Sequence, residues 1–224
     1  CFGGPGLDHL ERLELLDKAE IEQGLKVDLT NPFFVITYHP VTLQAGAIAG
    51  HYHSLLEALD QFESHTLIFT CSNADHEGRE VFSILNEYKS TSSRKNIHVF
   101  TSLGIKRYIS LVRFASAVIG NSSSGLIEVP HLGVPTVNIG DRQKSRLKAN
   151  TVIDCSNDSG AIFSAINLAI SLDFEKKLDK VVSPYKKGNV CYQIKEVLKT
   201  YCLESILEKP FVDINEKNEE MVHV

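Results

Sequence analysis

The chain has 224 residues, 43% of them hydrophobic and 23% charged, with a formal net charge of −5 at pH 7. That length suits one large domain or two small ones, able to bury a sizeable core. The acidic balance argues against a surface for nucleic acid or an anionic membrane, and no apolar run approaches the roughly 18 residues of a membrane span.

Strand-like and helix-like segments alternate along the chain. Residues 33–37 form a short β-rich run, followed by a helical pattern over 47–62 with apolar residues at Ile48, Leu55, Leu56, Leu59 and Phe62. A second strand is expected over 66–70 and a helix over 78–88. A third strand covers 97–100, and the helix 105–114 follows with Ile105, Tyr108, Ile109 and Val112 on one face. The fourth strand is 117–120, then a short helix over 126–131. Strands five and six are 135–139 and 151–154, with helices over 159–172 and 189–207. Residues 1–207 read as one domain, and 208–224 as a polar tail expected to fray.

Continuously apolar strands separated by helices imply a parallel six-stranded sheet covered on both faces. Such sheets hold ligands beyond the carboxyl ends of their strands. Polar residues gather at those ends here: His39 after the first strand, Asn73 after the second, Asn121 to Gly125 after the fourth, and Gly140 to Gln143 after the fifth.

The fourth strand end carries the densest signal, NSSSG followed by a helix. Ser122 or Ser123 is expected to cap that helix. Its free N–H groups and dipole would suit a diphosphate, and Gly125 would let the backbone approach the anion. Glu128, one turn in, could accept the hydroxyls of a ribose; the alternative is a plain capped helix with a first-turn carboxylate. His39 can donate to a phosphate or act as a general acid, or be structural. Arg142 offers a planar fork for a phosphate, or is a surface arginine. Lys144, Arg146 and Lys148 read as mostly solvated. Asn73 either touches a ligand or closes an Asx turn.

The five cysteines include no C-x-x-C pair, so they read mostly as buried thiols in a reducing cytoplasm. No histidine spacing suggests a metal, and His51 and His53 read as surface residues. No cofactor is expected.

Taken together, HPVT at 39–42, SNAD at 72–75, GNSSSG at 120–125 with Glu128, and GVPTVNIGDRQ at 133–143 resemble the hydrolysing UDP-N-acetylglucosamine 2-epimerases of sialic-acid and related nonulosonic-acid synthesis. The similarity runs from about Gly3 to Leu198. It implies a Rossmann-like domain, one half of a two-domain glycosyltransferase-B-like architecture with the active site between the halves. GGPGLD resembles the crossing into the second domain, so the sequence is expected to be the C-terminal half of a longer cytoplasmic protein whose N-terminal domain is its partner. By resemblance His39 and Arg142 would be catalytic. The UDP-binding set would be His39, Asn73, Leu103, Ile105, Ser122, Ser123, Glu128 and Arg142, with Leu103 and Ile105 at the uracil.

The family reaction eliminates UDP and hydrates the resulting glycal to N-acetylmannosamine, with its proton-moving carboxylates in the other domain. The full-length protein would be a homodimer or tetramer, and this chain alone would bind UDP weakly without turnover. Two other functions fit the residues: a retaining UDP-sugar glycosyltransferase, and a UDP-binding or assembly domain without activity.

Overall fold

The computed structural model of the chain describes residues 1–40, 48–71 and 76–204. Six strands form one sheet: β1 (Phe33–Thr37), β2 (Thr66–Thr70), β3 (Ile97–Phe100), β4 (Ala117–Gly120), β5 (Thr136–Ile139) and β6 (Val152–Cys155). All pairings are parallel, in the order β3-β2-β1-β4-β5-β6. The order reverses between β1 and β4. That is where a doubly wound sheet opens a crevice at its carboxyl edge, because the crossovers on either side leave in opposite directions.

Helices α3 (Ile48–Asp60), α4 (His76–Thr91) and α7 (Ser159–Ala169) cover one face. Against them lie Phe34, Ile36, Leu67, Phe69, Ile119 and Val137, alternate residues of their strands. The other face, with Phe33, Val35, Ile68 and Val118, lies under α2 (Lys18–Leu25), α5 (Gly104–Val112) and α6 (Ser124–His131). With both faces covered, β1, β2, β4 and β5 are buried along their whole length, which is why they read as mainly apolar runs with a few buried Thr and Asn residues. Each such Val, Leu, Ile or Phe contributes on the order of 1.5–3 kcal/mol by burial. β3 and β6 are the edges and stay largely half-exposed.

Several expectations need correction. The opening residues are helical, forming α1 (Pro5–Leu10) and α2, neither of which the apolar periodicity suggested. Both carry local start signals: Pro5 occupies the first turn of α1, and Asp17 with Glu20 makes a reciprocal capping box on α2. The helix expected over 159–172 ends at Ala169, because Ser171 caps a separate α8 (Leu172–Leu178) through the N–H of Phe174. The last helix, α9 (Val190–Thr200), stops before the expected 207, and the tail over 208–224 lies outside the described residues. No cysteine is fully buried: Cys1, Cys191 and Cys202 are exposed, and Cys71 and Cys155 are half-buried. Cys71 and Cys155 pack against the core from strand ends and stay partly open there. No described helix is long and apolar enough to cross a membrane.

α1 folds back onto α5 and α6 through Leu7, Leu10, Ile109 and Ile127, and onto α9. The start of the chain therefore lies beside the helix that follows the serine-rich bend. A Cβ added at Gly6 would stand 3.5 Å from Oε1 of Glu128.

Candidate functional site

The crevice between β1 and β4 is built on a close backbone contact. β4 ends at Gly120 with φ at +137°, and a Cβ there would lie 2.0 Å from the carbonyl oxygen of Thr37 at the end of β1. Only glycine permits both the dihedral and the approach. The chain then turns into the serine bend.

Asn121 follows and is fully buried. Its Nδ2 donates to the carbonyl of His39 (2.8 Å), and its Oδ1 accepts from the N–H of His39 (2.7 Å). Its own N–H donates to Thr37 (3.1 Å). Its carbonyl accepts from Nη1 of Arg142 (3.0 Å) and from Nε2 of the buried Gln143 (2.8 Å). The ends of β1, β4 and β5 are thus joined through one side chain and one peptide unit. The residue before His39 is held as well, since the buried Tyr38 donates its hydroxyl to Asn157 beyond β6 (2.8 Å).

Ser122 and Ser123 sit at the start of α6, both half-buried. Neither caps it in the expected way. Ser123 holds the N-cap position but has helical dihedrals (φ −63°, ψ −23°), and its hydroxyl makes no capping bond. A capping side chain needs extended backbone at that position to reach the N–H groups ahead. Ser122 Oγ instead accepts from the N–H of Ser124 at 3.4 Å. Among the described residues nothing accepts from the N–H groups of Ser122 or Ser123. Gly125 also serves a different purpose from the expected one. Thr136 of β5 fills the place of its missing side chain, with Cγ2 2.7 Å from where a Cβ would be, and Thr136 donates its hydroxyl to the Gly125 carbonyl (2.7 Å). That glycine seats α6 on the sheet; it does not face the crevice.

Glu128 lies on α6 next to α1, and burial raises the pKa of its carboxyl. Its own N–H and the Ser124 hydroxyl offset part of this, although Ser124 Oγ does not reach hydrogen-bonding geometry. Tyr108 of α5 contributes a buried hydroxyl beside Ser124, Thr37 and Glu128, and burial raises its pKa too. Under it, the Thr37 and Thr70 hydroxyls share a 2.5 Å hydrogen bond. Arg142 is exposed apart from its bond to Asn121, and burial of that end with Arg146 nearby draws its pKa down. A guanidinium stays charged through any such shift.

The fold brings His39, Ser122, Ser123 and Arg142 together through Asn121, and sets Glu128 one turn behind. Asn73 lies outside the described residues. Leu103 precedes α5 and packs into the core with Leu111 and Val112, whereas Ile105 is exposed on the first turn of that helix. Lys144 and Arg146 are exposed as expected, but Lys148 pairs with Asp154 at 2.7 Å and is partly covered. No group of three or more metal-ligating side chains converges among the described residues. Asn121 and Gln143 were placed at strand ends by sequence but given no role of their own, and Tyr108 was read only as part of an apolar helix face. The signal available for Asn121 was its place directly after a strand that ends in glycine.

Further grooves lie at other strand ends. One of about 660 Å³ opens at the amino end of β3, around Asp60, Tyr88, Arg94 and Asn96. There the Arg94 guanidinium donates to the Leu59, Phe62 and His65 carbonyls and closes the end of α3. Another, about 520 Å³, adjoins the candidate site at the ends of β5 and β6, between Asp141, Lys144, Lys148 and Asn157.

A doubly wound parallel sheet with buried polar clamps and a basic residue near its switch point defines an α/β domain of the class whose ligands bind at the strand carboxyl ends. The comparison with known proteins gives the family: residues 1–199 match UDP-N-acetylglucosamine 2-epimerase, and the chain belongs to that family. It is 38% identical over 207 residues to a Campylobacter jejuni protein named GDP/UDP-N,N'-diacetylbacillosamine 2-epimerase (hydrolyzing), covering 92% of this chain and 53% of that one. It is 34% identical over 222 residues to an Escherichia coli polysialic acid biosynthesis protein P7, covering 96% and 54%. The chain thus spans about half the length of these curated relatives. The fold matches the S. aureus MnaA–UDP co-structure with a TM-score of 0.68 at 16% identity, over 96% of this chain and 56% of that one. It matches the Neisseria meningitidis UDP-GlcNAc 2-epimerase bound to UDP-GlcNAc with a TM-score of 0.62 at 20% identity, over 85% and 50%.

Proposed function

We propose that this chain is the UDP-binding half of an enzyme that converts UDP-N-acetylglucosamine, or a closely related UDP-sugar, to the 2-epimeric free sugar plus UDP by elimination and then hydration. The observation that carries the reading is the joining of His39, the serine bend and Arg142 through Asn121. Family membership and the names of the relatives support the reaction class.

Breaking the anomeric C–O bond builds negative charge on the departing diphosphate. N–H groups at the start of α6, the Arg142 guanidinium and the His39 imidazole are the donors this chain would aim at that charge. Fixed in advance, such donors stabilise the transition state without reorganising; removing one in comparable sites costs on the order of 3–4 kcal/mol. Glu128 would accept the ribose hydroxyls. Leu103, Ile105 and Asn73 are assigned to the nucleotide on resemblance alone. The carboxylates that move protons belong to the other half of the two-domain protein, so the crevice described here supplies binding and leaving-group stabilisation. A homodimer or tetramer is the proposed state of the whole protein, and the cytoplasm its compartment.

Two sugars are in contention. The C. jejuni relative is named for diacetylbacillosamine, so UDP-N,N'-diacetylbacillosamine should be assayed beside UDP-N-acetylglucosamine. Calorimetry with UDP on this chain tests the binding reading: weak saturable binding is expected, and none at millimolar UDP would remove it. In the full-length enzyme, His39→Ala should abolish turnover with a smaller loss of UDP affinity. Near-normal turnover would take His39 out of the mechanism.

A further inference from the structure

We propose that Asn121 is a positioning residue of the nucleotide site: it couples the three strand ends, so that His39 and Arg142 meet a diphosphate already in place, without itself touching the ligand. The inference rests on the nucleotide reading above.

The geometry of the clamp is what singles it out. A side-chain amide that both donates to and accepts from one residue's backbone mimics a strand partner. Here it carries the β1–β4 pairing past Thr37 and Gly120, from Asn121 out to His39, two residues beyond the end of β1. His39 therefore leaves the sheet in a fixed direction. The same residue's carbonyl takes two donors from the β5 end, one of them the Arg142 guanidinium. A guanidinium with one N–H group anchored keeps the rest of its planar fork for an anion and loses part of its rotational freedom beforehand. Gln143 is buried, and its Nε2 is the second donor to the Asn121 carbonyl.

Asparagine is required on chemical grounds. Aspartate at this position would keep an acceptor for the His39 N–H but would set a carboxylate oxygen against the His39 carbonyl. Alanine would remove both hydrogen bonds that the Asn121 side chain makes to the His39 backbone.

Asn121→Asp tests this in the present chain, with UDP as the probe and calorimetry as the readout. The expected result is a folded protein whose UDP affinity falls about tenfold or more. In a His39→Ala background the same substitution should lose much less, because its effect runs through His39. A folded Asn121→Asp chain with UDP affinity within about twofold of the parent, or with a loss that is fully additive to that of His39→Ala, overturns the proposal while leaving the nucleotide reading intact. Absence of UDP binding by the unsubstituted chain overturns the nucleotide reading instead, and this role with it. Should Asn121→Asp fail to fold, amide exchange on the unsubstituted chain decides. The His39 N–H should exchange as slowly as the β1 amides before UDP is added, and exchange at the rate of an exposed loop overturns the clamp.

Discussion

The Asp8 carboxylate accepts a hydrogen bond from the N–H of Cys191 at 2.7 Å, so a residue near the start of the chain caps α9 near its end. Asn189, at the N-cap position itself, is left-handed and makes no side-chain cap. The bond to Cys191 holds the Asp8 carboxyl below its ordinary pKa. Asp8→Ala should therefore lower Tm and speed exchange of the first amides of α9, with UDP binding unchanged. The lowered pKa makes this a contribution present above the ordinary value of 3.8 and lost as pH falls below it. Unaltered exchange in α9 would show that the bond does not hold the helix start.

Gly120→Ala should be severely destabilising. The dihedral alone costs on the order of 1–3 kcal/mol for a residue with a side chain, and the overlap with the Thr37 carbonyl adds to it, since backbone and not a flexible side chain stands in the way. A loss of about 3 kcal/mol or more in urea unfolding is expected. A loss below about 1 kcal/mol would mean that the ends of β1 and β4 can part easily.

Glu128→Gln should separate function from stability. Burial raises the Glu128 pKa, so the ionised carboxylate is held at a cost in the folded chain near neutral pH. A raised carboxyl pKa disfavours folding above that pKa, and the effect disappears as pH falls toward the ordinary 4.5. The neutral amide should leave Tm at pH 7 equal or higher, while weakening UDP binding several-fold. A lower Tm with unchanged binding would assign Glu128 to the scaffold.

Acid should destabilise the fold well before the carboxylates titrate. Burial lowers the pKa values of His65, His98 and His131, with Arg94, Lys89 and Lys186 respectively pushing the same way and Glu11 opposing at His131. His65 also stacks flat on Phe34 with centroids 4.3 Å apart. Each group stays neutral in the folded chain after the unfolded chain has begun to bind its proton. Stability is therefore intact above the ordinary value of 6.5 and declines as pH falls below it. Thermal melts between pH 8 and pH 5 should show this, and His65→Phe should flatten the slope. A Tm independent of pH over that range would contradict it.

Much of the architecture was legible because strand and helix patterns are local. Phe33 to Thr37 and Thr66 to Thr70 announce buried strands by composition alone, and the polar residues after them mark the carboxyl ends. His39, Ser122, Ser123, Glu128 and Arg142 could be picked out as candidates for the same reason. The Asp17–Glu20 box shows that α2 was also written locally, in capping chemistry and not in apolar period.

What the sequence by itself determined is the succession of strands and helices, since each follows from residues a few positions apart. Only the tertiary structure decided that β1 lies beside β4, and hence that His39, Asn121 and Arg142 meet. It also turned Gly125 toward Thr136 and brought Asp8 to Cys191. Pairing and packing over such separations depend on which surfaces the whole chain leaves to be buried, and no local pattern carries that information.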